Sequence, residues 1–157
     1  MTNPALTTPC VIETVFDRFP KPPCAELLGW TLLEVDEMAG RVRIGFTARP
    51  EFLNPAGFVQ GGFLAAMLDD VMGPAALVMS GGWSFTSTMD MTISFLKPAR
   101  LGPLIGEGRV IQLGKTIGYL EGDLRDEAGT LIARATSTAR LVPTEALATG
   151  RGRAPAL

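Results

Sequence analysis

Two adjacent carboxylates, Asp69 and Asp70, sit inside the most apolar run of the sequence, a few residues after Gln60-Gly61-Gly62. An ionised carboxylate in apolar surroundings must be hydrated, paired or functional, because desolvating it unaided is costly. Such a group can attack an activated carbonyl or deprotonate the water that does. The paired glycines leave backbone N–H groups open to a closely approaching atom, and amides at a helix start can stabilise a developing oxyanion. By itself a Gly-Gly pair is more often only a flexible entry to a helix. The sequence contains no histidine, which removes Ser-His-Asp and Cys-His nucleophile systems and most zinc hydrolase sites. Hydrolysis by this chain must run on carboxylates, hydroxyls, amides and backbone dipoles.

The element that positions these groups is a helix from about Phe63 to Met79, ended by Gly81-Gly82. At roughly 100° per residue, Phe63, Leu64, Met67, Val71 and Val78 share a broad core face. Ala65, Ala66, Asp69, Gly73 and Ala76 gather opposite, a strip of small residues around one carboxylate that another chain, a sheet or a ligand can approach. Asp70 lies about 100° further round, in a different environment. Helix geometry alone leaves open that both aspartates face solvent. Pro74 removes one helical amide and frees the carbonyl of Asp70.

Around the helix, Trp30–Val35 and Arg41–Thr47 read as a hairpin turning at Ala39-Gly40. The runs Phe85–Leu96, Leu104–Gln112, Ile117–Arg125 and Thr130–Val142 read as four more strands, with short connections that predict antiparallel pairing. Cys10–Phe19 is compatible with a short helix. One apolar helix followed by a long antiparallel sheet predicts an α+β domain in which the sheet curls around the helix. The organisation expected is a poorly ordered segment 1–9, one domain over 10–142 and a poorly ordered tail 143–157.

Hydrophobic residues make up 46% and charged residues 19% of the 157, more apolar surface than a small single domain hides, which implies an oligomer. Net charge −2 supplies no basic field for nucleic acid. Cys10 and Cys24 lack CxxC spacing and read as free thiols. The N-terminus carries no secretion pattern, and the charges and proline within residues 63–80 argue against a bilayer span. A cytoplasmic protein without a membrane partner is expected.

Asn54-Pro55-Ala56-Gly57-Phe58-Val59-Gln60-Gly61-Gly62, followed by Asp69 within the helix, resembles the motif of the PaaI-like (phenylacetic-acid-degradation type) acyl-CoA thioesterases of the hotdog superfamily. In those proteins Asn and Gly precede His-Gly-Gly and an acidic residue lies deep in the helix. The resemblance runs from about Cys24 to Val142 and includes Asp90–Gly102 and the turn Gly114-Lys115-Thr116. It implies a hotdog fold, an antiparallel sheet wrapped around a long central helix, and hydrolysis of a thioester to a free acid and coenzyme A.

By position, the resemblance makes Asp69 the nucleophile or general base. The Gly62 amide becomes the group that polarises the carbonyl, Gly61 shapes the turn, Asn54 positions water or carbonyl, and Thr88 faces the attacking water. Phe58, Val59, Leu64 and Met72 are candidates for the acyl site, and Lys97, Arg100, Lys115 and Thr116 for the coenzyme A entrance. Active sites at a dimer interface, with dimers pairing into tetramers, are also implied. No metal and no cofactor are expected, coenzyme A being part of the substrate. One position departs: the family histidine is Gln60, which hydrogen-bonds but does not titrate near neutral pH. Orientation is its expected role, since hotdog thioesterases elsewhere use glutamine near the carbonyl. Hotdog dehydratases pair a histidine with a carboxylate, and the absence of histidine argues against them. The competing class is a non-catalytic acyl-CoA-binding or regulatory module in which Gln60 has silenced the chemistry. Nothing in the sequence selects the acyl chain, the pathway, or coenzyme A over acyl carrier protein.

Overall fold

The computed structural model describes residues 14–145. The expected poorly ordered ends, residues 1–9 and all but the first three residues of the tail, lie outside the described residues, as does Cys10. From Thr14 the expected Cys10–Phe19 helix is a 3-10 turn at Val15–Arg18. The elements that follow are α1 (Pro23–Leu28), β1 (Thr31–Asp36), β2 (Arg41–Ala48), a 3-10 turn at Pro50–Phe52, α2 (Gly61–Met79), β3 (Ser84–Phe95), β4 (Gly102–Leu113), β5 (Ile117–Asp126) and β6 (Leu131–Pro143). The helix α1 was not expected, although it carries the ordinary signals: Pro23 at its start and Gly29 after its end at φ 71°.

The strands form one antiparallel sheet in the order β1-β2-β4-β5-β6-β3, wrapped around α2 as the hotdog resemblance implies. The short connection after β3 does not make a β3–β4 hairpin. Instead β3 pairs with β6 at one edge of the sheet and β4 pairs with β2. The linking segment is held on both sides, with the amides of Leu96 and Lys97 donating to the Ile132 carbonyl and the Val59 amide donating to Ala99.

In β2 strict alternation buries Val42, Ile44, Phe46 and Ala48 against α2 and turns Arg41 and Arg43 outward. The outer face is a ladder of cross-strand ion pairs, including Arg43 opposite Glu107 and Asp123 opposite Arg134. On α2 the buried residues are Leu64, Met67, Leu68, Val71, Met72, Ala75, Ala76 and Val78. Two assignments change. Ala76, expected on the small-residue strip, is fully buried, and Met72 is fully buried against the sheet and unavailable to an acyl group. By length and composition α2 is long and apolar enough to cross a bilayer, yet its apolar face is packed on the sheet.

The closeness of that packing depends on glycines inside the strands. A Cβ at Gly108 in β4 would overlap the carbonyl oxygen of Val71. One at Gly106 would lie 2.9 Å from the Phe46 ring, and one at Gly122 in β5 would lie 3.0 Å from Met72. Strand glycines of this kind mark a close approach of another backbone. The two layers touch there, and a substrate must use the other face of α2. Gly108→Ala is expected to destabilise the fold by about 1–3 kcal/mol through forced separation of helix and sheet. Denaturant unfolding checks this, and an unchanged midpoint would contradict the close approach.

Candidate active site

The loop before α2 is tied down residue by residue. Asn54 Oδ1 accepts from the amides of Ala56 (2.9 Å) and Phe58 (3.2 Å), while its backbone N–H donates to the Phe58 carbonyl at 2.8 Å. Gly57, at φ 79°, closes the turn. The Gln60 amide then donates to Phe52 at 2.8 Å, which delivers Gln60 as the residue preceding the helix. Its carbonyl accepts from Phe63, but its side chain makes no capping bond and is exposed. Gly61 and Gly62 are the first two helical residues, so their amides have no intrahelical acceptor, and none is paired with them among the described residues. Phe95 packs beside Gly61, and the space where a Gly62 side chain would stand is empty to beyond 4 Å.

An open cleft of about 330 Å³ lies at this end of α2, lined by Asn54, Phe58, Gly61, Leu64, Phe95 and Lys97 among others. Val59 contributes to the lining although itself buried. The Arg100 guanidinium stands 5.5 Å from the Phe58 ring centre. The cleft therefore combines apolar walls, a cationic margin and the open amides of a helix start. Asn54 is already committed through Oδ1, so only its side-chain NH2 is left to meet a ligand. A second cleft of about 360 Å³, bordered by Thr14, Arg18, Glu37 and Gly81, lies at the other end of α2 and holds none of the candidate residues.

Two turns along the helix, Asp69 Oδ1 accepts a 2.8 Å hydrogen bond from Thr88 Oγ1 on β3. Beside it a Cβ at Gly73 would come 2.9 Å from Thr86 Oγ1, so the small-residue strip lets this strand approach. The pairing of β3 with β6 shifts between Thr88 and Asp90, a bulge at Met89. A bulge reverses which side chains face inward. Before it Thr86 and Thr88 turn to α2; after it Met91 and Ile93 pack on the core and Phe95 on Gly61. Without it the inward set would be Asp90, Thr92 and Ser94. The edge strand thus offers the Thr88 hydroxyl to Asp69 and apolar groups to the helix start.

Asp70 occupies the separate environment expected of it, yet it is not solvent-facing. Its Oδ2 is enclosed without a hydrogen-bond partner. Burial, and then the charge of Asp69, push its carboxyl up to about 6 against the opposing pull of Lys21.

Within one chain the candidates fall into three places. Asn54, Phe58, Val59, Gln60, Gly61, Gly62, Lys97 and Arg100 gather at the start of α2. Asp69 and Thr88 meet about 10 Å further along the helix axis, too far to act on a carbonyl held at the Gly62 amide of the same chain. Lys115 and Thr116 lie in the β4–β5 turn, at the opposite end of β4 from Lys97 and Arg100, where the Thr116 carbonyl accepts from Leu141. A single chain does not bring them to the cleft.

Residues 56–133 match the family model described as thioesterase superfamily. Human acyl-coenzyme A thioesterase 13 is 31% identical over 68% of this chain and 77% of its own length. A phenylacetic acid degradation-related protein of Ralstonia eutropha JMP134 superposes with a TM-score of 0.75 at 36% identity, covering 80% of this chain and 95% of that one. The E. coli PaaI protein, from the phenylacetic acid degradation operon, shares the fold at TM-score 0.70 and 21% identity, over 77% and 85% of the two chains. Replacing Thr88 by Val keeps the shape of the site and removes the donor to Asp69. A loss of about 1 kcal/mol in unfolding free energy is expected, and a Thr88→Val unfolding midpoint equal to wild type would show that the hydroxyl is not engaged.

Proposed function

Because this chain belongs to the thioesterase superfamily and is a thioester hydrolase, we propose that it hydrolyses acyl-CoA to a free acid and coenzyme A, with Asp69 as base or nucleophile and the Gly62 amide as oxyanion donor. The reading is carried by one observation: Asp69, held by Thr88, and the unpartnered Gly62 amide lie on the same open strip of α2. The name of the human relative supports acyl-CoA as the substrate.

The separation along the helix is resolved if two chains form the site. The edge strand β3 is 12 residues long and exposes Phe85, Met89 and Phe95 at 46%, 62% and 53%. An uncovered edge of that length invites pairing. Two copies joined antiparallel along β3 about a twofold axis set their helical strips face to face and running oppositely. Asp69 then comes opposite Gly62 of the partner subunit. The same operation carries the start of β3, with the Lys115-Thr116 turn beside it, toward Lys97 and Arg100 of the partner subunit, where cations meet the coenzyme A phosphates.

In this site the thioester carbonyl rests against the Gly62 amide and the positive end of the helix. Thr88 holds Asp69 Oδ1 and leaves Oδ2 to take a proton from water, or to attack the carbonyl itself. The tetrahedral oxyanion collapses with loss of the thiolate, which needs no strong acid; on the direct-attack route this leaves an acyl-aspartyl anhydride that water then hydrolyses to the free acid, restoring Asp69. Gln60 and the Asn54 NH2 orient the carbonyl or the water, and no cofactor takes part. The exposed, non-titrating Gln60 is also what favours the second reading, a module that binds CoA esters without turnover. Asp69→Asn is expected to lower thiol release from a panel of short, medium, long and aryl acyl-CoAs by about 10²–10⁴-fold while its melting temperature stays near wild type. Turnover by that variant at the wild-type rate would contradict the assignment of Asp69, and thermal stabilisation by CoA esters with no turnover in wild type would favour the binding module.

A further inference from the structure

We propose that Trp83 is a specificity-determining residue supplied across the dimer: its indole closes the cleft at the start of the other chain's α2 and stacks on the adenine of coenzyme A. The inference rests on the hydrolytic reading and on the pairing of two chains along β3. It names the carrier, a thioester that bears a nucleotide and not the bare pantetheine arm of a carrier protein.

Trp83 lies in the turn between α2 and β3, and that turn is locked. Ser80 Oγ donates to the Leu77 carbonyl at 3.0 Å and accepts from the Ser84 amide at 3.1 Å. Gly81 and Gly82 take φ values of 62° and 85°. From beyond β6, the Thr144 amide donates to the Trp83 carbonyl at 3.0 Å, and Thr144 Oγ1 donates to the Gly82 carbonyl at 3.0 Å. Backbone fixed in this way carries an indole that is 69% exposed and stacks on no other ring among the described residues. A rigidly presented aromatic face of that size gains free energy from any flat apolar surface that covers it.

The register of the pair locates that surface. β3 runs from Ser84 to Phe95, so antiparallel pairing about its midpoint sets Ser84 opposite Phe95 of the partner subunit, and Trp83 opposite Leu96 of the partner subunit. The bulge at Met89 keeps the faces matched, since Thr86 and Thr88 then meet Ile93 and Met91 across the axis, inward against inward. Leu96 lines the cleft with Phe58, Phe95 and Lys97, and residues 95–98 are exposed within one chain. Trp83 therefore arrives at the open rim of the other chain's cleft. The Lys115-Thr116 turn arrives with it, because the Thr116 carbonyl accepts from Leu141, which lies opposite Thr86 on β3. Lys97 and Arg100 stand on one side of this rim and Lys115 on the other, and none of the three has an acidic partner among the described residues. The arginines of β2, β4 and β5 all do. An exposed indole among unpaired cations suits a planar base that carries phosphates: the base stacks on the ring, and the phosphates take the cations. Coenzyme A has such an end, whereas pantetheine on a carrier protein has no base. A contact so far from the thioester carbonyl strengthens ground state and transition state alike, and so acts on KM.

The test measures kcat and KM of wild type, Trp83→Ala and Trp83→Phe on an acyl-CoA that wild type hydrolyses and on the same acyl group carried by pantetheine. In Trp83→Ala the ratio of kcat/KM for the CoA ester to that for the pantetheine ester is expected to fall roughly five- to hundredfold, through KM for the CoA ester. Trp83→Phe should recover most of that loss, since a phenyl ring still stacks. An unchanged ratio in Trp83→Ala would overturn the inference. Separately, Trp30→Phe leaves Trp83 as the only tryptophan of the chain, and coenzyme A should quench its fluorescence. Emission unmoved by coenzyme A at about 1 mM, the upper end of ordinary KM values, would overturn the inference, and this arm decides the matter if Trp83→Ala does not fold. A monomeric mass by light scattering would remove the pairing and this inference together. If wild type hydrolysed no acyl-CoA, the hydrolytic reading alone would fail, because quenching by coenzyme A would still put Trp83 on the nucleotide.

Discussion

The site depends on contact between the backbone of α2 and the β4–β5 region of the sheet. Gly106, Gly108 and Gly122 carry no side chain where Phe46, Val71 and Met72 arrive, so helix and sheet meet without a gap. Apolar burial drives the two layers together, and the glycines set how near they come. The core side of α2 is thereby filled, and its opposite side, Gly62, Ala66, Asp69 and Gly73, is left as the surface where chemistry can take place. The same approach brings Thr86 and Thr88 of β3 against that surface at its margin.

The functional groups are consequently distributed along a rod. An oxyanion donor belongs at the start of a helix, where amides are unpaired and the dipole is positive. A carboxylate in the first turn would compete for those amides, whereas two turns later it is held by a hydroxyl from the neighbouring strand. Since a helix of fixed rise keeps the two apart, the proposed site unites them through a second antiparallel copy, for which the uncovered β3 edge is the available joint.

Much of this was legible because it is local. The apolar run closed by Gly81-Gly82 gave α2 to within two residues at its start, and the run Arg41–Thr47 gave β2 to within one residue at its end. The small-residue strip set Asp69 apart from Asp70, and the family resemblance put Thr88 on a neighbouring strand facing the attacking water; the structure has its hydroxyl bonded to Asp69. What was not legible is non-local. The far-edge position of β3 follows from how strands pack around the helix and not from the short connection after it. The bulge at Met89 is a register property of two strands, invisible in one of them. Ala76 and Met72 moved to the core because the sheet wraps further round α2 than a helical wheel can show. The unpaired oxygen of Asp70 is enclosed by tertiary packing, and the cation facing it, Lys21, lies far away in the sequence. The strand glycines were a visible signal of close approach that went unused.

The central claim, that Asp69 of one chain works with the Gly62 amide of another, is tested most directly by mixing two inactive variants. Asp69→Asn removes the carboxylate, and Gly62→Pro removes the amide donor within the first helical turn, where no intrahelical hydrogen bond is lost. After unfolding and refolding together in equal amounts, mixed dimers contain one intact site of two, and activity should return to about a quarter of wild type. No recovery, with mixed dimers demonstrated to be present, would place both groups in a single chain and contradict the account.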